Sequence, residues 1–202
     1  VDEWALSYTS VFTTYRRTPI PGDFDGDGLL DVLLQANDPT QQTRLWFGTG
    51  RVVSLGNESI IASPELWASN RTLPTPGDFN GDGVTDLLMQ GLDSNQAHRV
   101  LFFDRTGTYS EWASLPTVAG GAEWTTRRRR AVTLDANGDG LADIFLKPVT
   151  AGEDGILLLS RGRSFALRAE RYADGEDPFQ AFPGDFDGDG RSDLLLFDPA
   201  RG

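Results

Sequence analysis

Four times along the 202-residue chain an unbroken apolar triplet follows directly on an aspartate. Val32-Leu33-Leu34 follows Asp31, Leu87-Leu88-Met89 follows Asp86, Ile144-Phe145-Leu146 follows Asp143, and Leu194-Leu195-Leu196 follows Asp193. A strand covered on one face alternates apolar and polar residues. An unbroken run bounded by turn residues instead predicts a strand buried on both faces, as the inner strands of stacked sheets are. Further short strands are predicted at residues 4–8, 43–47, 99–103, 109–115, 156–159 and 164–169, with turn-like stretches such as Asn37-Asp38-Pro39 and Asp104-Arg105-Thr106-Gly107 beside them. No long segment keeps a 3.6-residue period. The expected class is all-β, with residues 1–202 forming one domain and no linker dividing it.

The triplets close a nine-residue pattern that occurs at residues 23–31, 78–86, 135–143 and 185–193. The first copy reads Asp23-Phe24-Asp25-Gly26-Asp27-Gly28-Leu29-Leu30-Asp31, and the others keep Asp at positions 1, 5 and 9, Asp or Asn at 3, and Gly at 4 and 6. Pro-Gly precedes three copies; the third has Thr133-Leu134 and carries Ala136 where the others have Phe, which makes its hairpin entry the least regular. Successive copies start 55, 57 and 50 residues apart. Such a period is long for a solenoid rung and suits a four-stranded propeller blade.

Acidic residues at alternate positions converge when a loop wraps a small centre, and hard oxygen donors favour Ca²⁺ or Mg²⁺. Glycines at positions 4 and 6 give the backbone the freedom such a loop needs. Position 7 offers a carbonyl and the Asp at position 9 completes the set. The alternative is a set of Asx-turns that need no metal, which accounts for one copy better than for four. An EF-hand requires a Glu at position 12 followed by a helix, but Leu34, Met89, Leu146 and Leu196 stand there, within predicted strands.

Asp-Phe-Asp/Asn-Gly-Asp-Gly-x-x-Asp followed by apolar residues resembles the FG-GAP and VCBS-type repeats of integrin-alpha-like β-propellers, repeats also found in secreted bacterial proteins and fungal propeller lectins. The resemblance implies a β-propeller of four repeats, with a Ca²⁺ loop joining the first two strands of each blade. Carried over by position, it implies up to four Ca²⁺. The first would be held by Asp23, Asp25, Asp27, the Leu29 carbonyl and Asp31, and the second by Asp78, Asn80, Asp82, the Val84 carbonyl and Asp86. The third set is Asp135, Asn137, Asp139, the Leu141 carbonyl and Asp143, and the fourth is Asp185, Asp187, Asp189, the Arg191 carbonyl and Asp193. Lectin-like recognition of glycan or protein ligands is the function it implies.

Composition narrows the remaining classes. A net charge of −12 argues against a nucleic-acid binder, and four divalent ions would bring it to −4, an ordinary value for a soluble domain. Cysteine is absent, which removes disulfides and thiol chemistry. No apolar run approaches the roughly 18 residues of a membrane span, so no insertion is expected. Val1-Asp2-Glu3-Trp4 shows no leader pattern, as a processed chain would also read. Low-millimolar Ca²⁺ outside cells fills even weak sites, so an extracellular, cell-surface or periplasmic location is expected.

His98 is the single histidine, read as a surface residue at a turn, and no Gly-x-Ser-x-Gly elbow occurs, so no enzyme is expected; a carboxylate pair for glycoside hydrolysis stays as the alternative. Among Trp4, Trp46, Trp67, Trp112 and Trp124, sugar stacking competes with blade packing, because Trp67, Trp124 and Phe12 each precede a motif by 11 residues. Arg127-Arg128-Arg129-Arg130 reads as a solvated stretch that offsets carboxylates, or as a dock for an anionic partner. Asn57-Glu58-Ser59 and Asn70-Arg71-Thr72 match glycosylation sequons. The interval from Asp185 round to Asp23 through both termini is 40 residues, short of a full repeat. Either four blades close with a composite blade, or the four are a scaffold segment of a larger surface protein or toxin that meets a longer parent chain or pairs as a homodimer.

Overall fold

The computed structural model describes residues 17–37, 40–50, 53–61, 71–96, 98–112, 115, 124–150, 153–168 and 180–197, with side chains omitted at 53–61 and 111–112. The predicted strand at 4–8, Phe12, Trp4, Trp67, Asn70 and the Trp112 side chain lie outside the described residues. Among the described residues there is no α-helix, and fourteen strands form four antiparallel sheets. Sheet 1 holds β1 (Arg17–Gly22), β2 (Asp31–Ala36), β3 (Thr43–Gly48) and β4 (Val53–Ile61) in chain order. Sheet 2 is β5 (Thr72–Gly77), β6 (Asp86–Gly91), β7 (Arg99–Phe103) and β8 (Tyr109–Trp112), and sheet 3 is β9 (Arg129–Leu134), β10 (Asp143–Pro148), β11 (Ile156–Ser160) and β12 (Phe165–Arg168). Sheet 4 consists of β13 (Gln180–Gly184) and β14 (Asp193–Phe197). These are consecutive meanders of the kind that make propeller blades.

Each first strand runs into the nine-residue loop and returns as the apolar strand, with Gly22 opposite Asp31, Gly77 opposite Asp86, Leu134 opposite Asp143 and Gly184 opposite Asp193. The third hairpin therefore forms without its Pro-Gly. Pro19 and Pro21 lie two apart on β1, an edge strand, as do Pro74 and Pro76 on β5. That spacing puts the missing N–H groups on the free edge, where no ladder bond is lost.

The apolar triplets pack as two-sided strands in the first three sheets. Leu87 and Met89 enter a core shared with Phe24 of the first loop and Leu33 and Leu45 of sheet 1, while Leu88, between them, enters a core shared with Ile144, Leu146 and Leu158 of sheet 3. This is the period-2 alternation of a strand whose two faces both meet protein. Each such leucine contributes about 1.5–3 kcal/mol by burial. In a third core Phe145 and Leu157 meet Leu194 of sheet 4.

The fourth triplet departs from expectation. Leu195 is 52% exposed and Leu196 40%, where Leu33, Leu88, Leu146 and Met89 are at or near zero. Sheet 4 has two strands among the described residues, and no described sheet follows it, so only its Leu194 side meets a neighbour.

Candidate metal centres

The four loops are built alike, chiefly from bonds between near neighbours. The carboxylate at position 1 accepts from the N–H groups of both glycines: Asp23 from Gly26 at 2.7 Å and Gly28 at 2.9 Å, Asp78 from Gly81 at 2.7 Å and Gly83 at 2.9 Å. Asp135 does the same with Gly138 and Gly140, and Asp185 with Gly188 and Gly190. The glycines at position 6, Gly28, Gly83, Gly140 and Gly190, all have φ between 82° and 84°, the left-handed region that a side chain resists. Position 3 accepts from the N–H of position 5, and position 5 from the N–H of position 7, as in Asn80, Asp82 and Val84.

Three carboxylate oxygens converge within 4.8 Å at Asp23, Asp25 and Asp27, and again at Asp185, Asp187 and Asp193. That donor set, all hard oxygen on a glycine-hinged frame, fits Ca²⁺ or Mg²⁺. In the second and third loops position 3 is an amide. Asn80 Nδ2 donates to Asp82 at 3.0 Å and Asn137 Nδ2 to Asp139 at 2.9 Å, so these loops satisfy one carboxylate internally. Leu29, Val84, Leu141 and Arg191 close their loops through N–H donation to position 5.

The aspartate at position 9 has a second job that the nine-residue pattern does not reveal. One oxygen of Asp31 accepts from Phe24 N–H at 2.7 Å and the other from Gly48 N–H on β3 at 2.7 Å. Asp86 pins Phe79 and Phe103 in the same way, and Asp143 pins Ala136 and Ser160. Each of these three carboxylates is fully buried and ties the loop to the third strand of its own sheet. Burial pushes Asp86 up from the ordinary 3.8 to about 7, against the pull of its two N–H donors. Burial raises Asp31 and Asp143 as well. Asp25 is raised by burial and then by the charge of Asp31. A cation bound there would supply the positive charge that offsets such crowding. Asp193 receives Phe186 N–H at 3.1 Å.

Successive loops are also bonded to each other. Thr85 N–H donates to the Asp23 carbonyl at 2.6 Å while Asp23 N–H donates back to Thr85 Oγ1 at 3.0 Å. Ala142 N–H reaches the Asp78 carbonyl at 2.8 Å, and Ser192 repeats the two-way pattern with Asp135. Arg105, from the β7–β8 turn, donates to the carbonyls of Gly26 and Asp82 and so spans the first two loops.

Residues 23–89 and 78–146 match the model of the FG-GAP-like repeat, two overlapping matches that take in more than half of the chain. The chain belongs to the FG-GAP-like repeat family. FG-GAP-like relatives include T-cell immunomodulatory protein of Rattus norvegicus, 28% identical over 192 residues that make up 92% of this chain and 30% of the relative. The Homo sapiens protein of the same name is 29% identical over 189 residues, 88% of this chain and 28% of the relative. The chain thus spans under a third of the length of these relatives. Among solved structures, an Agrocybe aegerita lectin described for specific recognition of non-reducing terminal N-acetylglucosamine superposes with a TM-score of 0.66 at 18% identity, over 91% of this chain and 47% of that one. The likeness establishes the shared propeller fold.

The other candidate residues resolve into packing. Trp46 and Trp124 are 4% and 3% exposed, so neither offers a face to a sugar. His98 is half-buried rather than free on the surface: its Nδ1 accepts from Gly91 N–H at 2.9 Å and its ring stacks on Trp124. The arginine run splits. Arg127 pairs with Asp93 and Arg128 with Glu153 near the surface, Arg130 is exposed, and Arg129 is buried on β9, where it bonds to the Asp154 carbonyl. Strand alternation separates Arg129 from Arg130, neighbours on β9 that face opposite ways, while Arg127 and Arg128 lie in the turn before the strand. Asn57 of the first sequon lies on β4.

Proposed function

We propose that this chain is a Ca²⁺-stabilised propeller module that recognises glycan or protein ligands outside the cell or in the periplasm, and that it is not an enzyme. The convergence of three carboxylates in the first and fourth loops carries the metal part of the reading. Removing like-charge repulsion among Asp23, Asp25 and Asp27 stabilises only the folded chain, because the unfolded chain holds these groups apart. The recognition part draws on the lectin-like fold, since rigid blades present loops on which binding sites are grafted.

Thermal melting tests the metal. The melting temperature falls in chelator and is restored by Ca²⁺, and an unchanged melt overturns the reading. Binding to a glycan array that includes terminal N-acetylglucosamine tests recognition, and an array without hits directs the search to protein ligands.

A further inference from the structure

The three junctions between successive loops share one bond and differ in another. The position-8 N–H donates to the position-1 carbonyl of the loop before it: Thr85 to Asp23, Ala142 to Asp78 and Ser192 to Asp135. A return bond runs from the position-1 N–H to the position-8 hydroxyl, at 3.0 Å from Asp23 to Thr85 Oγ1 and at 3.0 Å from Asp135 to Ser192 Oγ. At the middle junction position 8 is Ala142, which has no hydroxyl. Asp78 is half-buried, and its N–H finds no acceptor among the described residues. A backbone donor in such a place calls for an oxygen from outside the chain.

Asp78 and Ala142 line one cleft of about 290 Å³, close to the smallest size that takes a small ligand. Leu134, Leu141 and the Ala142 methyl give it apolar walls, and Thr133 and Asp135 add polar groups. The two aspartates repel an anion, and an N–H does not bind a cation. A hydroxyl suits both, because it accepts from the N–H and donates to a carboxylate oxygen, which keeps a lone pair for it beside the glycine N–H bonds. A saccharide ring joins such hydroxyls to a C–H face that packs on leucine and alanine.

We propose that the cleft between the second and third loops binds a neutral sugar ring. One ring hydroxyl accepts from Asp78 N–H, in the place of the hydroxyl that Thr85 and Ser192 supply at the other two junctions. This gives a location to the glycan recognition proposed above and rests on that reading, but not on the metal.

The test is titration of the nitrogen-labelled chain with glucose, galactose and mannose, read by NMR at the amides of Asp78, Asp23 and Asp135. At least one of the three sugars shifts Asp78 and leaves Asp23 and Asp135 in place, since their N–H groups already have acceptors. The uronic acid of that sugar, which adds a carboxylate, binds more weakly. Ala142→Ser supplies the acceptor from within, as Ser192 does at the next junction. Sugar binding then weakens by about tenfold or more, while the melting temperature stays level or rises. Ala142→Thr repeats the test with the residue of the first junction. Gly77 leaves room for it as Gly22 does for Thr85: a Cβ on Gly77 would meet Ala142 Cβ at 2.9 Å, and on Gly22 Thr85 Cγ2 at 2.7 Å.

A sugar that binds without moving Asp78, or binds equally well to the folded Ala142→Ser chain, overturns the proposal and leaves recognition elsewhere on the module standing. A uronic acid that binds as tightly as its neutral sugar overturns it too. No shift with any of the three sugars overturns it and leaves water as the partner of Asp78 N–H. That result falls on the glycan reading as well only if the glycan array is also without hits.

Discussion

The second and fourth loops have nearly the same sequence and the same internal frame, but not the same surroundings. Asp78 and Asp185 each accept from two glycine N–H groups at 2.7–3.0 Å. Around the second loop Phe79 and Asp86 are fully buried, whereas around the fourth Phe186 is exposed and Asp193 half-buried. The loop conformation is therefore a local property of nine residues, set by glycines and carboxylates. Burial is supplied by the neighbouring sheets and by the third strand of the same sheet.

The largest test of that separation is to remove the position-9 carboxylate from each loop. Asp86→Ala strands the buried N–H groups of Phe79 and Phe103, at about 1–3 kcal/mol each. Asp193→Ala frees the Phe186 N–H next to solvent and costs under about 1 kcal/mol. Denaturant titration reads both; equal losses would contradict the comparison. Next come the strands: Leu88→Ala should cost about 2–5 kcal/mol as a core truncation, and Leu195→Ala, on the exposed face, less than about 0.5 kcal/mol.

Titration gives a third contrast. The Asp86 pKa is raised on folding from 3.8 to about 7, so the folded state holds a proton that the unfolded state has released. In chelator this contribution to stability is complete below the unfolded pKa and is lost as pH rises through about 7, with a slope near 1.4 kcal/mol per pH unit between the two values. Asp86→Asn reduces that slope in melts run from pH 5 to pH 8. A slope equal to that of the wild type removes Asp86 as its source.

The smallest effect separates strain from packing. Gly81 and Gly188 have φ of 78° and 80°, so alanine strains both alike, by about 1 kcal/mol. Only Gly81→Ala also pushes on Leu141, which yields at the end of a flexible side chain and adds less than about 1 kcal/mol. If Gly188→Ala is the more costly of the two, that face is covered in solution.

The apolar triplets and the fourfold motif made the sheets and their order legible, because alternation and glycine spacing are local signals. Strands β3, β7 and β11 lie where short apolar runs stood between turns. The triplet Leu194-Leu195-Leu196 is exposed at Leu195 and Leu196 where no further sheet is described: hydrophobicity states what a strand can bury, and a neighbouring sheet is what buries it. The link from Asp86 to Phe103 spans 17 residues, and the Thr85–Asp23 pair spans 62. No residue-type signal marks such long-range backbone bonds. A signal for the buried Arg129 was present in its place on a strand, two residues from Ala131 on the same face, but four consecutive arginines concealed it.

Because, among the described residues, each sheet is a run of neighbouring strands and each loop-to-loop bond joins one repeat to the repeat just before it, assembly of these repeats can follow synthesis. As each of these repeats emerges from the ribosome, the loop it bonds to in the preceding repeat has already been made.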